Sequence, residues 1–543
     1  MSESLETCEI SLPLGQIKGV KRRSLYDDEY YSFERLPFGK PPLGELRFKA
    51  PQPAEPWTGI LDCTHYGDKP VQNLIRTGII GGSEDCLYLN VFAKQLKTEK
   101  PLPVMVYIYG GAFTIGEATR ELYGPDYIMA KDVILVTLNY RVDCLGFLSL
   151  KDPSLDVPGN AGLKDQVLAL KWVKKYISYF NGDANNITLF GDSAGGCSTH
   201  YMMCTEQTRG LFHKAIPMSG TLHNYWANTS PEDFAYRLAK FHGYEGENVD
   251  REVLDYLRGV EPFKLVDYNL ITPEERRNGS LYAFGPTVEP YQTPACVAPK
   301  SQLEMARDAW SNDLPAMLGG VSFEGLFMYP ALKANVKSMD SLLEDPLRMT
   351  PRDVRAVNTE KQNLEFSEKL IKLYFGDATS SSKLIMAFMD VKIMNIFFST
   401  IHGTYRTLYA RLAYSTAPTY FYRFDFDSPD FNFYRQKFCG SDIKAGVAHA
   451  DDLSYLFRNT ASRKLDKSSG EYRTIQRMVG MWTAFATNSN PNCKEIGHLS
   501  WEPSKKDHTQ RVLNIGNDVN IIDLPEHDKL LVWDSLYKPN DLF

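Results

Sequence analysis

The 543-residue chain lacks most of the features that name a protein class outright. No run reaches about 18 clean apolar residues, which excludes a conventional membrane-spanning helix. The nearest stretch, "LIMAFMDVKIMNIFFSTI", is interrupted by Asp390, Lys392 and Asn395. It reads as a helix packed on the core, with a Met- and Phe-rich wall for a lipophilic pocket as the sharper alternative. The opening "MSESLETCEISLPLGQIKG" has no apolar core of a secretory signal, and the closing "KPNDLF" is no ER-retention tetrapeptide. Nine cysteines occur without C-x-x-C spacing, so the expectation is reduced thiols in an intracellular, cytoplasmic protein. Three glycosylation patterns, beginning at Asn186, Asn228 and Asn278, should then stay bare. Neither H-E-x-x-H nor a P-loop is present, and no metal or cofactor is expected. Cations are in deficit: 60 Lys and Arg face 67 Asp and Glu, a net charge of -7, which argues against nucleic acid as a partner. The cluster Lys18, Lys21, Arg22 and Arg23 reads as a solvated strand end. With no repeat, low-complexity tract or linker, residues 1–543 are expected to form a single domain with insertions.

What is present is a large apolar content, 43% of residues, arranged in alternating patterns. Strand-like runs "PVMVYIY", "DVILVTLNY", "NNITLF", "KAIPMSG", "PAMLGG" and "TYFYRFDF" alternate with helical spacing such as "NAGLKDQVLALKWVKKYISYF". This order implies an α/β fold with a mostly parallel central sheet and helices on both faces. Reactive groups should lie on loops at the carboxyl ends of the strands.

One such loop is "TLFGDSAGGCS". A strand-like run passes through Gly-Asp-Ser-Ala-Gly into helical sequence, the setting in which a serine sits on a strained turn at a helix N-terminus. Gly191 and Gly195 flank Ser193, where a side chain would collide with the backbone of so tight a turn. Further on, "MLGGVSFEGLF" leaves Glu324 just past a strand end, and "GVAHADDLSYLF" puts His449 in a polar gap. The chain order Ser, acid, His is that of α/β-hydrolases. Alone, Glu324 is one of many acids, and His402 in "STIHGTY" competes with His449; its helical setting suits a satisfied core residue better.

Beyond single residues, "LPFGKPPLGELRFKAP", "SEDCLYLNVF", "YIYGGAFTIGE", "NYRVDCLGFLSL", "VPGNAGLKDQVLALKWV", "ITLFGDSAGG", "FGPTVEPY" and "HADDLSYLF" run along nearly the whole chain. In these it resembles the type-B carboxylesterase/cholinesterase family, most closely the insect alpha-esterases. The resemblance implies an α/β-hydrolase fold with a small N-terminal antiparallel sheet. It implies Ser193 as nucleophile, His449 as general base and acid, and Glu324 as the acid that orients it, with Ser219 supporting Glu324. It further implies an oxyanion hole from the N–H groups of Gly111, Ala112 and Ala194, and an acyl pocket lined by Phe113 and Trp226.

This chain departs from the family pattern in four places. Ala112 stands where many relatives have a third glycine, and its methyl is expected to crowd branched esters. Asp192, beside the nucleophile, is commonly Glu. Asp143 is usually Gly, a tolerable exchange if φ is positive there. Tyr109 replaces a frequent His and reads as neutral. Cys63 and Cys86 match a disulfide of secreted relatives, but thiols are expected here.

The activity implied is hydrolysis of lipophilic carboxylic esters, fatty-acyl or xenobiotic, with susceptibility to organophosphates. Alternatives are a slow-turnover enzyme that sequesters esters or organophosphates and a juvenile-hormone-type esterase, whose usual Gln before the serine is absent. A choline esterase is disfavoured because Tyr66 is the only aromatic residue between Cys63 and Cys86. A non-catalytic scaffold would have lost part of the triad. Peripheral association with lipid droplets or ER membrane, and a homo-oligomer, are left open.

Overall fold

The computed structural model describes residues 6–74, 78–229, 233–277, 280–330, 345–375, 399–440, 443 and 445–543. The expected Met- and Phe-rich helix, except for its last residues, and the Asn278 pattern lie outside them. Fifteen strands are described. They are β1 (Thr7–Leu12), β2 (Gly15–Arg23), β3 (Glu29–Pro37), β4 (Ile60–Asp62), β5 (Gln72–Leu74), β6 (Ile79–Gly81), β7 (Tyr88–Ala93) and β8 (Leu102–Ile108), then β9 (Ile134–Leu138), β10 (Gly182–Asp192), β11 (Lys214–Met218), β12 (Ala316–Val321), β13 (Thr419–Phe424), β14 (Arg511–Ile515) and β15 (Val519–Asp523).

Thirteen of these build one sheet in the order β1-β2-β3-β7-β9-β8-β10-β11-β12-β13-β14-β15, with β4 paired to β2. From β9 through β14 every neighbour is parallel. The sequence of these strands explains why. "ILVTL" in β9 and "KAIPM" in β11 are buried at every position and apolar apart from Thr137 and Lys214, and such runs suit strands covered on both faces. At the margins the pattern changes: β1 alternates exposed and half-buried positions, and the pairs β1–β2, β2–β3, β3–β7 and β14–β15 are antiparallel. The N-terminal antiparallel strands are thus fused to the main sheet through β7, while β5 and β6 form a small separate antiparallel sheet.

Helices supply the remaining layers. Helix Ala194–Cys204 packs on β10 and β11, helix Gly470–Asn488 on β8 and β10, and helix Ser399–Tyr414 on β12 and β13. Among the described residues, no helix is long and apolar enough to cross a membrane. The parallel strands all point the same way, so the loops after β8, β9, β10, β11 and β12 emerge together. Those loops carry Gly111, Asp143, Ser193, Ser219 and Glu324.

Candidate active site

Ser193 follows the last residue of β10 and caps the helix Ala194–Cys204, with φ 60° and ψ -124°. Left-handed backbone is costly for an L-residue, and two bonds hold it there. The Ser193 N–H donates to the Met218 carbonyl (2.9 Å), and the Ser193 carbonyl accepts the Cys197 N–H (2.9 Å). The flanking glycines are sterically required. A Cβ on Gly191 would lie 2.5 Å from the Gly195 carbonyl oxygen and 2.6 Å from that of Ile108, and one on Gly195 would strike the Ile108 carbonyl.

The loop after β8 is strained in the same sense: Gly111, Ala112 and Phe113 have φ of 124°, 54° and 60°. It presses on Ser193, for a Cβ on Gly110 would meet Asp192 O at 2.6 Å and Ser193 Cβ at 2.8 Å. Neither the Gly111 nor the Ala112 N–H has an acceptor among the described residues. Ala194 is the first residue of its helix, where the N–H has no intrahelical partner.

Glu324 is buried, and both its carboxylate oxygens are engaged. Oε1 accepts from Ser219 Oγ (2.6 Å) and from the Val321 N–H (3.0 Å), while Oε2 meets His449 Nδ1 at 2.5 Å. Burial opposes charge on His449, but the Glu324 carboxylate and its hydrogen bond outweigh it and raise the imidazole from 6.5 to about 9. Two more buried carboxyls face the imidazole. Burial raises Asp192 to about 7, against the pull of His449, and its Oδ1 has no hydrogen-bond partner among the described residues. Burial likewise raises Asp452 well above its ordinary value; its Oδ2 accepts from the Tyr422 hydroxyl at 3.4 Å. Asp452 sits within the "HADDLSYLF" signature, yet nothing in that signature distinguishes it from Asp451 beside it.

The rival histidine is accounted for elsewhere. His402 is buried in helix Ser399–Tyr414, with Nε2 2.8 Å from Asp534 Oδ1.

The departures in sequence find physical settings. Asp143 has φ 54°, a conformation Asp tolerates better than most residues, and Oδ1 accepts from the Cys144 N–H (2.6 Å) and the Tyr268 hydroxyl (2.5 Å). Burial raises its carboxyl to about 7 despite those bonds. Tyr109 stacks on Tyr140 with ring centroids 4.5 Å apart. Each hydroxyl donates to the other's backbone carbonyl, at 3.0 and 3.1 Å, tying the ends of β8 and β9 together. Cys63 and Cys86 are buried thiols.

Trp226 lines a cavity of about 530 Å³ with Leu222, Tyr225, Phe234 and Tyr282. Phe113 is fully buried and is not among its described lining residues; it meets the Tyr282 ring edge-on at 6.5 Å and that of Phe147 at 5.5 Å. Tyr282 therefore shares the cavity lining with Trp226 and also meets the Phe113 ring, a position no sequence signal marked. Among the described residues, no group of three or more His, Cys, Asp or Glu side chains could hold a metal ion.

A serine on a strained strand-to-helix turn, with a carboxylate and a histidine bonded on loops at the same end of a parallel sheet, is the arrangement of the α/β-hydrolases. The sequence profile described as "Carboxylesterase family" matches residues 6–533. The chain is 39% identical to "Esterase B1" of Culex pipiens over 99% of its own length and 100% of that protein's. It is 32% identical to "Juvenile hormone esterase" of Tribolium castaneum, over 90% of this chain and 84% of the other. Among solved structures, that of juvenile hormone esterase from Manduca sexta, with OTFP covalently attached, superposes with a TM-score of 0.83 at 28% identity, covering 98% of this chain and 100% of that one. The chain belongs to the carboxylesterase family, and it is a carboxylic ester hydrolase.

Proposed function

We propose that this esterase hydrolyses lipophilic carboxylic esters, fatty-acyl or xenobiotic, through a Ser193–His449–Glu324 triad and an acyl-enzyme. The observation that carries the reading is the hydrogen-bonded series Ser219, Glu324, His449 on loops that emerge beside Ser193. His449 Nε2 takes the Ser193 hydroxyl proton as Oγ bonds to the ester carbonyl carbon. The oxygen, now negative, is met by the N–H groups of Gly111, Ala112 and Ala194. Collapse breaks the bond to the alcohol oxygen, which leaves with the proton from His449. Water then repeats the sequence and releases the carboxylic acid. One such N–H donor is worth about 3 kcal/mol of barrier, so the strained loop after β8 is a large part of the catalysis. Glu324 holds Nδ1 and stabilises the imidazolium without taking its proton.

An organophosphate would be attacked by the same oxygen and, with its leaving group expelled, would leave Ser193 phosphorylated. Leu222, Trp226, Phe234 and Tyr282 in the cavity lining support a lipophilic acyl group, while the same described lining also carries charged residues such as Arg352, Asp353 and Arg406 and none of the triad. A juvenile-hormone-type esterase is the second reading, favoured by the relatives of that name.

The test is steady-state hydrolysis of p-nitrophenyl esters of increasing acyl length, with Ser193→Ala as control. Turnover by the native chain and none by the alanine variant is the expected result, and the optimum length sizes the pocket. A single-equivalent burst would replace hydrolysis by sequestration. Turnover surviving in Ser193→Ala would remove the triad.

A further inference from the structure

A seven-residue helix, Phe433–Cys439, bridges the loop of the acid and the loop of the histidine. On the acid side, Cys439 packs against Leu326 and Ala448, and its thiol donates to the Leu326 carbonyl at 3.3 Å. On the histidine side, the Arg435 backbone N–H donates to Asp451 Oδ1 (2.9 Å), and Asp451 Oδ2 accepts the N–H of Ala448 (2.8 Å), the residue just before His449. The Arg435 guanidinium, 1% exposed, donates to the carbonyls of Gly446 and Ser428 and pairs with Asp427. The second oxygen of Asp427 accepts the Gly446 N–H at 2.7 Å. The Val447 carbonyl accepts the Phe323 N–H at 3.2 Å, so each of the three residues before His449 has its backbone bonded.

Burial raises the Asp451 carboxyl to about 7 against its hydrogen bonds and the Arg435 charge, so above that pH two charged side chains are buried here, at a cost of several kcal/mol before their bonds offset the loss. Neither is assigned any contact with the ester. The Asp451 carboxylate takes two backbone N–H groups, those of Arg435 and Ala448, which fix the path of the loop, and a side-chain bond from Asn432.

We propose that Asp451 and Arg435 are positioning residues for ester hydrolysis: with Asp427 they lock the Gly446–Ala448 backbone, and so set the angle at which His449 presents Nδ1 to Glu324. The inference rests on the triad reading above. The imidazole faces Glu324 from the acid loop, Asp192 from the end of β10, Asp452 from its own loop and the Phe327 ring at 5.5 Å. Among the described residues, Glu324 is the carboxylate that bonds it directly. A loosened loop therefore weakens one identifiable interaction, and weakening it lets the imidazolium give up its proton more readily.

The experiment is the pH profile of kcat/KM for the native chain, Asp451→Asn, Asp427→Asn and Ser193→Ala. Rates are normalised to active sites titrated with a p-nitrophenyl phosphonate, and thermal midpoints are recorded alongside. Asp451→Asn keeps the shape but exchanges one acceptor oxygen for a donor. It is expected to lower the plateau by about tenfold to a hundredfold, the scale of a 1 Å misplacement, mostly in kcat, and to move the acid limb to lower pH. Asp427→Asn, at the outer end of the clamp, should move the limb in the same direction by less. A role in stability alone would lower the thermal midpoint and the titratable fraction while leaving the limb and the per-site rate unchanged, and that result overturns the proposal. If Asp451→Asn does not fold, Asp427→Asn decides alone, and an unmoved limb there overturns it. Activity retained by Ser193→Ala would instead defeat the triad reading, a failure distinguishable from either.

Discussion

At the scale of single residues, the proposed chemistry turns on His449. In the proposed triad its imidazole must be neutral to accept the Ser193 proton, and the Glu324 carboxylate, against the effect of burial, raises it to about 9. kcat/KM is therefore expected to climb with rising pH through the alkaline range. In Glu324→Gln the raising charge is gone, so the limb should move to lower pH while the plateau falls. A limb that stays in place would mean another group titrates. Ala112 gives a second expectation. Its φ of 54° costs on the order of 1 kcal/mol and its methyl lies in the loop assigned to the oxyanion hole. Ala112→Gly should raise the preference for branched over linear acyl esters by about fivefold, the worth of roughly one methyl clash; competition between pivalate and butyrate esters measures it. Such residues were only partly legible in advance. Ser193 announced itself because its glycines are dictated by the turn. Glu324 and His449 became distinctive only as members of a long resemblance, since neither has a local signature of its own.

At the scale of elements, legibility followed burial. The parallel strands β8 to β13 were readable because continuous apolar runs have few other uses in a chain of this length. The marginal strands β3 and β7, and β14 with β15, were not singled out as strands; in "EYYSFERLP" and "VNIID" apolar positions are interspersed with charged and polar ones, a weaker signal than an unbroken run. The helix Phe433–Cys439 escaped for another reason: its role lies in bonds to residues distant in sequence, which no local pattern encodes. Where two elements touch through backbone alone, the sequence leaves little latitude. Gly195 packs its helix against the end of β8 and the residue after it, and a Cβ there would strike the Ile108 carbonyl. Gly195→Ala is expected to cost about 3 kcal/mol of stability, read as a lowered urea midpoint, and to reduce hydrolysis at least as severely.

At the scale of the whole molecule, buried carboxyls shape how stability responds to pH. Asp143 titrates near 7 when folded and near 4 when unfolded, so between those values the folded chain binds more protons than the unfolded one. That difference makes stability fall as pH rises through the interval, and the loss is complete above about pH 7. Asp143→Asn keeps the acceptor for Tyr268 and Cys144 but has no proton to release. Its unfolding free energy should match or trail that of the native chain near pH 4 and gain on it by a few kcal/mol by about pH 8. Parallel curves for the two proteins would show that Asp143 titrates normally.

Among the described residues, thirteen non-glycine positions have positive φ, and six of them, Ala112, Phe113, Asp143, Ser193, Ser219 and Ala450, belong to the loops around the site. Their backbone admits few side chains, and β-branched residues least of all. Neutral drift is thus steered. At these six positions most larger side chains would disturb the fold, so selection there acts on the backbone as well as on the chemistry. Glu324 and His449 carry no such backbone constraint. A descendant that kept this architecture while abandoning hydrolysis would be expected to lose its function at those two positions first, leaving the strained serine turn as a fossil of the activity.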